Sequence, residues 1–252
     1  MDTDQLAFSE CDEKTTRNRV IIGIDFGSTL GTVAYTVLRQ GESEDSITSA
    51  NVRTISGYPA NHRGRYDQEE APMMIFYECP PTQETDGIWW GFKVKDELEC
   101  HTGPVHTYEE KFISCPKLLF DESQVTAPIR AALNAKLAFL NANGFNLKAE
   151  DVVENLLSRW LCEVKNILLE SNVVTSTDRP EFAICLPTHW FVTSHHKLLE
   201  AMGSAIRASW PVFNTTTASG SVFPVEMFSV REPEAGANGQ FGQRGSHHIR
   251  VR

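Results

Sequence analysis

Asp25 closes an apolar run, Val20-Ile21-Ile22-Gly23-Ile24, and is followed by Phe26 and then by Gly27-Ser28-Thr29. A carboxylate at a strand end can hold a hydrated magnesium ion. Small residues just beyond it let backbone N–H groups close on phosphate oxygens as an anion-binding nest. Glycine punctuation then reverses the chain into Thr32 to Leu38, where β-branched and aromatic residues dominate, so two strands joined by a phosphate-binding turn are expected. A hairpin whose glycines serve the turn alone has the same pattern. Two standard nucleotide loops are excluded: the P-loop pattern G-x-x-x-x-G-K-[ST] is absent, and Gly23, Gly27 and Gly31 do not fall into the G-x-G-x-x-G spacing of a dinucleotide fold.

The elements that must position this turn are legible from pattern. Strands are expected at Val20 to Asp25 and Thr32 to Leu38, with a weaker extended piece near Ile47 to Ile55 and a loop from Ser56 to Ala71. Pro72 to Tyr77 and Gly87 to Gly91 read as two arms of a small sheet. A helix follows at Ala127 to Asn143, with Ile129, Leu133, Leu137 and Leu140 near one face and Gly144 as its stop. A longer one, Glu150 to Glu170, carries the wide apolar stripe of Val153, Leu156, Leu157, Trp160, Leu161, Val164, Ile167 and Leu168. Phe182 to Pro187 reads as a buried strand, Thr193 to Ala208 as a helix, and Val225 to Val230 as a last strand after a linker at Asn214 to Ser221. The order gives an α/β chain. It divides into a disordered tail (1–19), one lobe (20–237) with an insertion at about 57–121, and an irregular tail (238–252).

Composition narrows the function classes. The 252 residues are 41% apolar and 22% charged, enough for a sizeable core. The formal charge of −10, from 23 basic and 33 acidic side chains, argues against nucleic-acid and anionic-membrane partners. No apolar run approaches the roughly 18 residues of a membrane span and no secretory signal is recognisable, so a cytoplasmic location is expected. The six cysteines include no C-x-x-C pair, which weakens zinc and redox readings, and Cys162 and Cys185 read as small buried hydrophobes. His195 and His196 read as solvated, for want of a third ligand at metal spacing.

Four separated motifs occur in the order of the seventy-kilodalton heat-shock chaperones. Ile22-Gly23-Ile24-Asp25-Phe26-Gly27-Ser28-Thr29 resembles that family's opening phosphate loop, shared with actin and the sugar kinases. Trp90-Gly91-Phe92-Lys93-Val94-Lys95 is similar to its G-x-x-x-K segment. Ala183-Ile184-Cys185-Leu186-Pro187-Thr188-His189-Trp190-Phe191 resembles the strand with its switch proline, and Val230-Arg231-Glu232-Pro233-Glu234-Ala235 its E-P-x-A segment. Trp-Gly before the lysine, and Glu-Pro-Glu-Ala for Glu-Pro-Thr-Ala, resemble the divergent heat-shock-like proteins of fungi.

The resemblance implies a ribonuclease-H-like lobe of the actin-like ATPase superfamily, with mixed sheet and flanking helices, that binds ATP and Mg. Asp25 would hold the metal through water, Gly27, Ser28 and Thr29 the phosphates, and Lys95 would place a positive charge near the γ-phosphate. Glu232 would orient the attacking water, and Pro187 would couple cleft closure to a remote surface. Lys93 competes for the role of Lys95, and Glu232 would also suit a helix N-terminus. In a full-length relative the partners would be protein clients or co-chaperones. The family's second lobe, with its D-G-G-G-T motif, is not present, so the chain is expected to supply half of a nucleotide cleft, to bind nucleotide weakly, and to be inactive in hydrolysis. A non-catalytic partner-binding fragment and a small-molecule kinase of the same superfamily are the alternatives. The kinase reading lacks a catalytic aspartate motif after Leu186.

Overall fold

The structure is a computed structural model, and it describes residues 18–59, 65–66, 68–78, 87–100, 109–216, 224–231 and 247–251. The chain is α/β. Its main sheet is mixed, with strand order β12-β11-β10-β1-β2-β3 and with β6 also on β2. Here β1 is Arg19–Phe26, β2 Leu30–Leu38, β3 Arg53–Thr54, β6 Glu70–Pro72, β10 Glu181–Leu186, β11 Val225–Arg231 and β12 His247–Val251. β2 runs antiparallel to β1, whereas β10 runs parallel to β1 and β11 parallel to β10. β3 and β6 share one side of β2: β6 pairs with Leu30, Gly31 and Thr32, and β3 with Ala34 and Tyr35. A second, three-stranded sheet in the order β8-β7-β9 (Ile88–Trp90, Met74–Tyr77, Phe112–Ser114) lies in the insertion, beside the short pair β4 (Tyr58–Pro59) and β5 (Arg65–Tyr66).

Alternation in β1 decides which face of the main sheet is buried. Val20, Ile22, Ile24 and Phe26 are buried, and register carries the same face to Phe182, Ile184 and Leu186 of β10 and to Val225 and Met227 of β11. Four helices are described: α1 (Gly91–Cys100), α2 (Ala127–Ala142), α3 (Ala149–Glu170) and α4 (Val192–Ser209). The stripe on α3 is buried as its spacing requires. Val153, Leu156, Leu157, Trp160, Leu161, Val164 and Leu168 have no exposed surface, while Ile167 is half-buried. At about 1.5–3 kcal/mol for each large apolar side chain removed from water, this face is the main stabilising contribution of the helix. Its N-terminus is closed by Asp151, whose carboxylate accepts the Lys148 N–H at 2.7 Å. α4 packs beside it, and Ser209 Oγ donates to Ser158 O at 3.0 Å across the pair.

The other face of the sheet is less covered. Ile21, Gly23, Ala34, Cys185, Phe228 and Val230 are only half-buried among the described residues, and Asp25, on that face, is exposed.

Several boundaries and burials differ from the sequence reading for identifiable reasons. Arg19 is not tail: it begins β1 and holds Glu181 in a bidentate pair at 2.6 and 2.7 Å. Residues 1–17 lie outside the described part of the chain. The segment 247–251, read as irregular, forms β12 and pairs antiparallel with β11, so the edge of β11 is covered. Gly91–Cys100 forms a helix where the sequence showed only a lysine motif after the arm at Gly87 to Gly91. Gly91 has φ +58, a left-handed turn that swings the chain out of β8 and that favours glycine. Cys162 lies on the exposed side of α3 and Cys185 is half-buried, so neither is the buried hydrophobe expected. Ile129 is 49% exposed while Leu133, Leu137 and Leu140 bury the face of α2.

The tip of the β1–β2 hairpin is locked to α3 by a missing side chain. A Cβ on Gly31 would lie 2.6 Å from Trp160 Cη2 and 2.8 Å from Met73 Cε, and Trp160 has no exposed surface to retreat into. Gly31→Ala is therefore expected to cost about 1–3 kcal/mol through overpacking. Gly23→Ala, whose Cβ meets only Ala34 O at 3.7 Å, should stay within about 0.5 kcal/mol. Urea unfolding midpoints of the two variants check this, and equal midpoints would contradict it.

Candidate functional site

The last registered pairs of the hairpin are Asp25 with Thr32 and Phe26 with Gly31, so Gly27, Ser28 and Thr29 form the turn beyond the ladder. Gly27 is required by close approach: an added Cβ would strike the carbonyl oxygen of Leu30. The Thr29 carbonyl accepts Met73 N–H at 2.8 Å, which fixes the far side of the turn to the strand connection after β6. Asp25 and Thr29 are exposed and Ser28 is half-buried. Because β1, β10 and β11 are parallel, their carboxyl ends meet on one edge. Phe26 and the turn lie there, Leu186 is followed by Pro187, and Arg231 pairs with Leu186. In open α/β sheets the carboxyl edge of parallel strands is where ligands bind.

A second group of side chains stands on the same edge, after β10. Pro187 is buried, and its carbonyl oxygen lies 2.6 Å from His195 Nε2 on the first turns of α4. A carbonyl only accepts, so Nε2 carries the proton. The His195 ring also stacks on Trp190, with centroids 6.3 Å apart at 28°. His195 is thus a structural contact of Pro187 and not the solvated residue expected, whereas His196 is exposed. The indole of Trp190 takes Lys117 Nζ over its ring, 5.5 Å from the centroid, and Lys117 is only 3% exposed.

Asp121 follows on the same segment and is buried. Its burial works against ionisation, but the N–H and hydroxyl of Ser123, the Thr126 hydroxyl and the charge of His189 outweigh it and hold the carboxyl below its ordinary value of 3.8. Ser123 N donates to Asp121 Oδ1 at 2.9 Å, and His189 Nε2 lies 4.0 Å from Oδ2. The Asp121 carbonyl oxygen separately accepts from Arg130 Nη1. The loop after β10 and the segment around Asp121 are therefore tied by both charge and stacking.

Of the residues singled out by pattern, the structure brings Asp25, Gly27, Ser28, Thr29 and Pro187 to one edge. Lys95 is exposed on α1, in the insertion, and Lys93, two residues earlier, is half-buried. Glu232 lies outside the described residues. Lys117 and Asp121 were not found by pattern, since each is isolated in sequence, and Trp190 was quoted within the Pro187 motif without a role; the weak signal available for Lys117 was Cys115-Pro116-Lys117, a proline-initiated turn. Among the described residues no group of three or more His, Cys, Asp or Glu is placed to hold a metal ion. Among the described residues no helix is long and apolar enough to cross a membrane. No protein-family model matches the chain, and no curated protein matches its sequence.

The depressed Asp121 carboxyl makes a pH-dependent contribution to stability. The contribution is complete above the unfolded value near 3.8 and is lost as pH falls through the lower folded value. Asp121→Asn should unfold at lower urea than the parent at pH 6, and the gap should narrow at a pH below the ordinary value of 3.8. A gap of equal size at both pH values would contradict this account.

Proposed function

We propose that this chain is a phosphate-binding lobe of the actin-like ATPase kind, with the ribonuclease-H-like fold, and that its ligand is Mg-ATP. The observation that carries the reading is the sheet itself. Two positions antiparallel to one another lead out from β1 on one side, β2 and then β3 with β6, and two strands parallel to β1 follow on the other, β10 and β11. That arrangement sets the Gly27 turn beside the carboxyl ends of β10 and β11, as a phosphate site on such a sheet requires.

The residues present fit the group. An exposed carboxylate at the end of β1 suits a magnesium ion held through water, and the Gly27-Ser28-Thr29 turn offers backbone N–H groups to phosphate oxygens. Magnesium would supply charge neutralisation between phosphate oxygens. Asp25 would orient its water shell, Lys95 would add a positive charge, and Glu232 would orient an attacking water. Pro187, with His195 on its carbonyl, would report the state of the edge to α4. A heat-shock-like chaperone is the specific reading within the superfamily, on the strength of the four motifs, with protein clients or co-chaperones as its partners and the cytoplasm as its location.

A partner-binding role without turnover is favoured by a separate observation. Phe191 is 59% exposed and Val192 70% exposed where α4 begins, next to the same edge.

Calorimetric titration with Mg-ATP, alongside phosphate release, tests the proposal. The parent chain is expected to bind Mg-ATP, and Gly27→Val to abolish binding. A parent that binds no nucleotide would overturn the proposal, and equal binding by parent and variant would overturn the site.

A further inference from the structure

We infer that a ligand whose phosphates rest on the Gly27-Ser28-Thr29 turn lays an apolar body on the half-covered face of the main sheet, against Leu30 and Val230 on either side of Asp25, so that the site takes a nucleoside polyphosphate in preference to free polyphosphate; the inference rests on the phosphate-site reading. Register is the first argument. Asp25 pairs with Thr32, so Leu30, two residues before Thr32, stands on the same face as Asp25 and diagonal to it, at about 7–8 Å. Pairing of Gly23 with Ala183 and of Ile24 with Ile184 puts Cys185 on that face too, and Cys185 pairs with Val230. Leu30, Asp25, Cys185 and Val230 therefore come from four adjacent strands, β2, β1, β10 and β11, at one end of one face. With strands about 4.8 Å apart the row is roughly 14 Å wide, which suits a flat ring system.

Exposure is the second argument. Leu30 is 42% exposed, and of the exposed large apolar side chains among the described residues it is the one that belongs to the sheet. Its backbone is fixed, with the carbonyl against Gly27 and the residue paired with Pro72 of β6. A leucine held out in water there adds little to the core, so stability gives small reason for its apolar character. Val230 and Cys185 are half-buried, and Gly23 leaves open space beside Asp25, where an added Cβ would meet only Ala34 O at 3.7 Å. The surface next to the turn is thus shallow and mostly apolar, with one carboxylate in it. Small-molecule sites combine such a lining with a few placed polar groups. A free polyphosphate gains nothing from the lining, whereas a ring laid over Leu30 removes apolar surface from water.

Titration of the full chain with Mg-ATP and, separately, with magnesium tripolyphosphate tests the inference, using Leu30→Ser, Leu30→Phe and, as an exposed leucine on α1, Leu98→Ser. The parent is expected to bind Mg-ATP more tightly than tripolyphosphate. Leu30→Ser should weaken Mg-ATP roughly fivefold and change tripolyphosphate less than about twofold, since it removes apolar contact and leaves the turn. Leu30→Phe should hold or tighten Mg-ATP, and Leu98→Ser should bind both ligands like the parent. Should Leu30→Ser melt early, Leu30→Phe decides: Mg-ATP tightened with tripolyphosphate unchanged supports the contact, and Mg-ATP weakened overturns it. Equal losses for the two ligands in Leu30→Ser would make Leu30 a part of the turn's shape and overturn the inference, as would no loss for either. A parent that binds both ligands equally, and loses both in Gly27→Val, overturns the inference and keeps the phosphate site. A parent that binds neither ligand overturns both.

Discussion

The contact of Trp160 with the bare Cα of Gly31 holds the rest of the molecule in place. The indole is wholly buried, lies 6.4 Å from the Phe26 ring, and fills the space a side chain at position 31 would need. Helix α3 is thereby pressed against the start of β2. Met73 packs on the same glycine, and through its backbone it connects Thr29 on one side with Cys115 on the other. The residues that close the core are thus the residues that shape the turn. In a close-packed interior a change of one methyl group is transmitted to neighbours, so here packing and site geometry are a single constraint.

This arrangement also resolves an electrostatic difficulty. A chain with a formal charge of −10 repels anions at long range, yet the proposed ligand is a polyphosphate. Beyond a Debye length of roughly 8–10 Å at ordinary salt that repulsion is screened, and the outcome is decided by the groups in contact. At the proposed site those would be the backbone N–H dipoles of the Gly27-Ser28-Thr29 turn. Asp25 faces away from α3 and α4, on the half-covered side of the sheet, where a hydrated cation has room. The two faces of one strand therefore divide the work. Ile22, Ile24 and Phe26 anchor β1, while Asp25 stays accessible.

Most of the architecture was legible because it rests on local periodicity. A short apolar run closed by Asp25 marked β1, a 3.6-residue stripe marked α3, and Pro187 marked the end of β10. Helix α1 was not, since the residues after Trp89-Trp90 carry no helical apolar stripe and were read only as a lysine motif. The positive φ of Gly91 makes the difference, and it has no signature beyond the glycine itself. Strand β12 was hidden by the glycine-rich residues before it, because its pairing with β11 is a long-range choice. The candidate site divides in the same way. Asp25 and the Gly27 turn are contiguous and could be read. Lys117 over Trp190 joins positions more than seventy residues apart, and His195 on the Pro187 carbonyl depends on where α4 begins.

The central claim is that the Gly27-Ser28-Thr29 backbone receives phosphate oxygens, and amide NMR reads those groups one by one. In a titration of the ¹⁵N-labelled chain with Mg-ATP, the account expects the largest shifts at the amides of Gly27, Ser28 and Thr29. Smaller shifts should follow at Met73 and Cys115, which are bonded to the turn in series. Saturating ligand that moves other amides and leaves those three in place would contradict it.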